Sequence, residues 1–222
     1  MHVTTGSGET ALNVWTTRIT RWMTRLMHGI SGHWLLLVNA LFGFFYLVLP
    51  TLAPVLMLAG QEKAANVLYT IFRPLCHQLP ERSFFIGGPQ AVYSLDQLTQ
   101  LLGGGGVPAR YIGDATIGYK IAICERDVAI YLAWVVAGIA FYWLRKRLRP
   151  LPLKQFVLFM VPMAIDGFGQ LFGLWESTWV SRVITGGLFG IATVLLVYPY
   201  LEKAMAEIRG ATQPEALQIG DD

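Results

Sequence analysis

The sequence predicts an all-α integral membrane protein with about four transmembrane helices, an N-terminal amphipathic interfacial helix, and a small mixed extracytoplasmic cap between spans one and two. Three observations lead there. The 222 residues are 54% hydrophobic and only 14% charged, with a mean hydropathy of +0.48, more apolar than a soluble core of this length requires. Several windows reach the roughly 20 consecutive apolar residues that a helix needs to cross a bilayer. The basic residues cluster between those windows, as membrane topology demands.

Residues 1–32 form the expected arm. Leu12, Trp15, Ile19, Trp22, Met23, Leu26 and Ile30 recur at helical spacing, while Arg18, Arg21 and Arg25 lie away from most of them, the pattern of a helix lying in the membrane interface. The first span, His33 to Gly60, contains no acidic residue, Lys or Arg. It is longer than the roughly 7–15 apolar residues of a secretion signal and starts too far along the chain to be one. The second span covers Val128 to Leu144, and the third, Phe156 to Trp175, and fourth, Trp179 to Leu201, form a hairpin through Glu176-Ser177-Thr178. The membrane domain is thus 33–201, followed by an acidic tail, 202–222.

The loop RKRLRPLPLK carries Arg145, Lys146, Arg147, Arg149 and Lys154 and no acid, so it belongs on the cytoplasmic side. With the arginine-bearing arm also inside, both termini are cytoplasmic, in a multi-pass cell-membrane topology such as that of a bacterial inner membrane. The cap, 61–123, then lies outside. It is too long for a bare connection. Ala64 to Cys76 reads as an amphipathic or half-inserted helix, SFFIGGPQAVYS and RYIGDATIGYKIAI as strands bent at glycines, and SLDQLTQLLG as a short helix capped by Ser94 and Gln97 and ended by Gly103.

The chain has two cysteines, Cys76 in CHQLPERSFF and Cys124 in CERD. On this topology both face a compartment where thiols oxidise, and a Cys76–Cys124 disulfide would staple the cap by roughly 2–4 kcal/mol. The same residues with His77 and a carboxylate also make a tetrahedral metal set, zinc being the candidate cofactor. Within the spans, a charge at bilayer depth costs several kcal/mol unless it is paired, which singles out Asp166, Gln170 one turn further on, and Arg182 across the hairpin. An Asp166–Arg182 ion pair fixing helix register is the bland alternative. Asp127 occupies the first turn of the second span, where the helix dipole favours a carboxylate. Gly169 and Gly173, and Gly186 and Gly190, are small-xxx-small pairs that allow close approach of the third and fourth spans.

CHQLPERS, CERD and IDGFGQ together resemble the signature of an integral-membrane family of bacteria and archaea, domain of unknown function 2085. The resemblance runs from about Tyr69 to Pro199. It implies that the Cys, His, Arg and Asp positions belong to one pattern and implies no particular reaction.

The functional expectation is an outward-facing polar site. His77, Asp166 and Asp127 are its candidate proton-moving groups, and Arg82, Arg126, Gln170 and Arg182 its candidates for holding a lipid-linked anionic substrate, since guanidinium forks suit phosphate. No P-loop, nucleophile elbow, HExxH or dinucleotide fingerprint is present. The competing classes are an assembly subunit of a membrane complex with its cysteines locked, and a small transporter, which four spans would require to be a homo-oligomer. A net charge of +3, placed where topology requires it, excludes nucleic acid as a partner.

Overall fold

The computed structural model describes residues 7–211, with side chains from residue 14 onward. The start of the expected arm and most of the acidic tail, residues 1–6 and 212–222, lie outside the described residues, as does the side chain of Leu12. Helix α1 (Ser7–Gly43) passes through a π-helical turn (Phe44–Val48) into α2 (Leu49–Leu58). The arm and the first apolar run are therefore one continuous rod with no break at residue 32. Nothing in the sequence stops the helix before Pro50. Trp15, Ile19, Trp22, Met23 and Ile30 are exposed along the arm, as an apolar stripe meant for lipid would be.

Among the described residues, three stretches are long and apolar enough to cross a membrane: Val14–Leu58, Glu125–Leu144 and Trp179–Ala211. The second is helix α5, and the third is helix α7. Helix α6 (Leu153–Leu171) is not among them, because Lys154, Gln155, Pro162, Asp166 and Gln170 dilute its apolar run. Its 19 residues make a rod of about 28 Å.

Helices α5 and α7 run parallel, and their approach is set by two glycines. A Cβ on Gly190 would lie 2.4 Å from the Ile130 carbonyl oxygen, and one on Gly186 would lie 2.8 Å from that of Arg126. This corrects the expectation for the glycine pairs: Gly186 and Gly190 receive α5, not α6. In the other pair, Gly169 faces the Trp175 ring, while Gly173, at φ +68°, ends α6. There Gly173 N–H donates to Gln170 O at 3.2 Å and Leu174 N–H to Gly169 O at 2.8 Å, the Schellman arrangement.

Away from the cap, Trp34, Leu35, Phe141, Val194 and Tyr198 form one core cluster, with the Trp34 and Tyr198 rings edge-on at 5.3 Å. Its polar atoms are satisfied within the bundle. Trp34 Nε1 donates to Glu202 at 2.8 Å, Trp134 Nε1 to the Tyr198 hydroxyl at 2.8 Å, and that hydroxyl to Asn39 Oδ1 at 3.2 Å.

The cap holds helix α3 (Glu62–Phe72), strand β1 (Phe85–Ile86), helix α4 (Leu95–Leu101), and strands β2 (Gly113–Asp114) and β3 (Gly118–Lys120). The sheet order is β1-β3-β2, antiparallel throughout, with Phe85 opposite Lys120 and Gly113 opposite Tyr119. Ser94 opens α4 with a reciprocal box: its hydroxyl accepts from Gln97 N at 3.1 Å, and its own N–H donates to Gln97 Oε1 at 2.8 Å.

Two prolines dock the connections onto the helices. Proline has no N–H, so the carbonyl four residues before it loses its helical partner. Pro54 frees the Pro50 carbonyl, which accepts from Ala122 N at 3.2 Å and so ties the segment after β3 to α2. Pro199 frees the Leu195 carbonyl, which accepts from Leu151 N at 3.0 Å and ties the basic loop to α7. The first of these bonds lies two residues from Cys124 and helps to place the site.

Candidate functional site

Where the cap meets α5, α6 and α7, two polar clusters and a cavity lie together. The first cluster is built on Cys76, which is buried among Phe72, Ile121, Ala122 and Ile123. Just after it the chain bends sharply: Gln78 has φ +54°, a left-handed conformation that non-glycine residues seldom adopt. The bend aims the Gln78 N–H at Cys76 Sγ, 3.5 Å away. The Gln78 amide holds the bend in place by donating to the Tyr69 and Ala122 carbonyls, both at 2.8 Å. From the other side, Cys124 caps α5. Its N–H also reaches Cys76 Sγ, at 3.2 Å, and its thiol donates to Asp127 Oδ2 at 3.1 Å. The two sulfurs and a carboxylate oxygen of Asp127 all lie within 4.8 Å of one another, and both cysteines are free.

Among the described residues, those placed so that they could hold a metal ion are Cys76, Cys124 and Asp127, whereas His77, expected as a third ligand, is exposed and outside the group. The Cys124 thiol and the Gln78 N–H hold Cys76 below the usual thiol range. Cys124 is displaced upward, by its bond with Cys76 and by burial.

Lys120 is 1% exposed and donates to the Gln78 carbonyl. Burial pushes its ammonium down to about 8, from 10.5, against the attraction of Cys76. Because the folded chain then binds fewer protons than the unfolded one between these values, stability gains from Lys120 as pH rises through that window and is flat below it. Between about pH 8 and pH 10 the gain is about 2 kcal/mol. Thermal midpoints measured with a chelator present are expected to show this rise in the wild type relative to Lys120→Met. An unchanged difference between the two proteins across the window would refute it.

The second cluster joins α5, α6 and the α6–α7 turn. Asp166 is buried and accepts from Arg126 Nη2, from Ser177 Oγ at 2.6 Å and from Ser181 Oγ at 3.0 Å. Arg182 does not reach it. Instead Arg182 Nη1 donates to Glu125 Oε2 at 2.9 Å and to the Glu81 carbonyl at 3.4 Å, and Nη2 donates to the Ser177 carbonyl. The expected Asp166–Arg182 pair is therefore replaced by Arg126–Asp166 and Glu125–Arg182. Buried Glu125 Oε1, Arg126 Nε and Arg182 Nε have no hydrogen-bond partner among the described residues.

Above this cluster is a cavity of about 440 Å³ whose wall includes Glu81, Arg82, Gln170, Glu176, Ser177 and Arg182. With its amide oxygen turned to the guanidinium, Gln170 accepts from Arg82 Nη2 at 2.7 Å and Nε at 3.3 Å. Glu81 is 4.0 Å from Arg82 Nε.

Among the residues singled out from sequence, Arg82, Gln170 and Arg182 line the cavity, and Arg126 and Asp166 sit beneath it. Cys76, Cys124 and Asp127 form the thiol cluster, and His77 joins neither group. Sequence reasoning passed over Glu125, Ser177, Ser181, Lys120 and Gln78. A lysine inside the apolar run YKIAI was a readable signal for Lys120, and the acid beside Cys124 in CERD was one for Glu125. The serines carry no such mark.

Long apolar helices surmounted by a small cap, with polar side chains gathered at the junction, define a membrane protein with a thiol-bearing polar site. The family model described as predicted membrane protein (DUF2085) matches residues 115–196, a stretch that contains Lys120, Cys124, Glu125, Arg126, Asp127, Asp166 and Arg182. The chain is 31% identical over 172 residues to an uncharacterized protein of Methanocaldococcus jannaschii, covering 74% of this chain and 90% of the relative. It belongs to the DUF2085 family. No solved structure matches it.

Proposed function

We propose that the chain crosses the cell membrane four times with both termini cytoplasmic, and that the cavity beneath the cap faces outward and binds a phosphate-bearing headgroup. The five basic residues between Arg145 and Lys154 support the orientation, and α6, at about 28 Å, is long enough to serve as the third span when its polar face is turned to α5 and α7. The observation that carries the binding reading is the guanidinium of Arg82. It stands at the cavity wall with its nearest carboxylate 4.0 Å away, whereas Arg126 and Arg182 are both committed to buried acids. A guanidinium fork backed by an amide suits a phosphate oxygen pair. Glu81 and Glu176 face the same space, so the wall offers both signs and favours a headgroup that carries an ammonium as well.

The test is binding of glycerophosphoethanolamine, glycerophosphoglycerol and inorganic phosphate to the detergent-purified protein, read as a shift in thermal midpoint. The zwitterion is expected to bind best, and Arg82→Ala to weaken it more than tenfold, the loss of a charged hydrogen bond of about 1.5–3 kcal/mol. Equal shifts in wild type and Arg82→Ala would sink the binding reading. For topology, His77→Cys is expected to react with an impermeant maleimide in intact cells and Lys146→Cys only after lysis; the reverse pattern would invert the orientation.

A further inference from the structure

We propose that Cys76, Cys124 and Asp127 are a binding site for a zinc-type divalent metal ion, independent of the headgroup cavity. The geometry supplies three convergent donors from two separate segments, all within 4.8 Å of one another, which suits a tetrahedral ion with its remaining position open to water or another donor. Two backbone N–H groups, from Gln78 and Cys124, point at Cys76 Sγ. Such donors stabilise a thiolate and orient it, as outer-shell partners of metal ligands do.

Charge bookkeeping favours a divalent ion. Two thiolates and a carboxylate bring three negative charges to a largely apolar pocket, a divalent cation cancels two, and the buried Lys120 ammonium, held on the carbonyl of Gln78 two residues after Cys76, offsets the third. The mixed sulfur and oxygen donor set suits zinc better than copper(I), which prefers soft sulfur ligands alone. Binding displaces the thiol proton that Cys124 now donates to Asp127 and the proton of Cys76 where that residue is a thiol, and these leave to solvent while the two sulfurs take the metal.

A Cys76–Cys124 disulfide is the rival use of these sulfurs. It would remove the Cys124 donor from Asp127, leave that carboxylate facing the sulfurs, and take from the buried ammonium the attraction of Cys76. The strained bend at Gln78 would likewise serve a sulfur with little need of N–H donors.

The experiment uses full-length protein purified without reductant. Metal analysis is expected to find a single equivalent of zinc, and thiol counting after denaturation with chelator is expected to find both cysteines free. After the metal is stripped, cobalt(II) should restore a thiolate-to-cobalt charge-transfer absorption. Cys76→Ser should lower that band to about half or less and weaken cobalt affinity, the double variant Cys76→Ser with Cys124→Ser should abolish the band, and Asp127→Asn should weaken cobalt affinity at least tenfold. His77→Ala and Arg82→Ala should leave both unchanged, so failure of the headgroup reading would not touch this one. Should the cysteine or aspartate variants fail to fold, alkylation of the folded wild type decides: bound zinc is expected to slow modification of Cys76 and Cys124, and chelator to restore it. A disulfide in place of metal, an absent cobalt band, or alkylation indifferent to chelator would overturn the site.

Discussion

Glu125→Ala is expected to lower the stability of the protein by about 3–5 kcal/mol, because it strands a charge rather than merely deleting a bond. Glu125 is fully buried, and Arg182 is 7% exposed. With the carboxylate gone, Arg182 keeps only the Ser177 and Glu81 carbonyls, which do not neutralise it. The pair itself contributes far less than this loss suggests, since desolvating both ions offsets most of their attraction. The double variant Glu125→Leu with Arg182→Met should therefore recover most of the stability lost in the single one. Denaturant or thermal unfolding of the wild type, Glu125→Ala and the double variant in one detergent supplies the check. A single variant as stable as the wild type would mean that water reaches Arg182. Asp166→Asn makes a useful contrast: Ser177 and Ser181 donate to different carboxylate oxygens, so one hydroxyl keeps the amide oxygen as acceptor while the other can accept from the new NH2 group, and Arg126, which is more exposed than Arg182, can turn toward water. Its cost should be smaller than that of Glu125→Ala.

Gly190→Leu should separate α5 from α7. Even a methyl group at Gly190 would stand 2.4 Å from the Ile130 carbonyl oxygen and 3.1 Å from the Ala133 methyl, and both neighbours belong to a helix that cannot yield locally. Overpacking of this kind typically costs 1–3 kcal/mol, occasionally more, and here the cost exceeds the roughly 1 kcal/mol that alanine gains over glycine in a helix. Gly190→Ala is expected to destabilise and Gly190→Leu to do so more severely. Gly187, three residues earlier, is the internal control, as a Cβ there meets nothing within 4 Å. Gly187→Ala should be neutral or stabilising. If both alanine variants behave alike in thermal unfolding, the close approach of α5 and α7 is not what holds the bundle.

Residues that acted through local rules were easy to read. Apolar runs marked the three long helices; Ser94 and Gln97 face each other three residues apart on one turn; Cys76, Cys124 and Asp166 stood out by type alone. Partner choice was harder. Arg126 and Arg182 are both arginines near helix ends, and nothing local tells which acid each will meet, because the answer turns on the rotation of α5 against α7. Likewise Gly186 and Gly190 announce a close approach without naming the helix that makes it. Pro54 and Pro199 lie inside the apolar runs without interrupting them, and their consequence is in the carbonyls they free for Ala122 and Leu151.

By itself the sequence determined that this protein is built of apolar helices, where its basic residues lie, and which few side chains are too polar for their surroundings. Those properties add up residue by residue along the chain, so hydropathy and spacing suffice to read them. Only the tertiary structure decided that Asp127 rather than His77 joins the cysteines, that Glu125 rather than Asp166 holds Arg182, and that Arg82 is left to face the cavity. Each of these depends on distances of a few ångströms between segments far apart in the chain, set by a left-handed bend at Gln78 and by the glycine contact between α5 and α7, which no periodicity records.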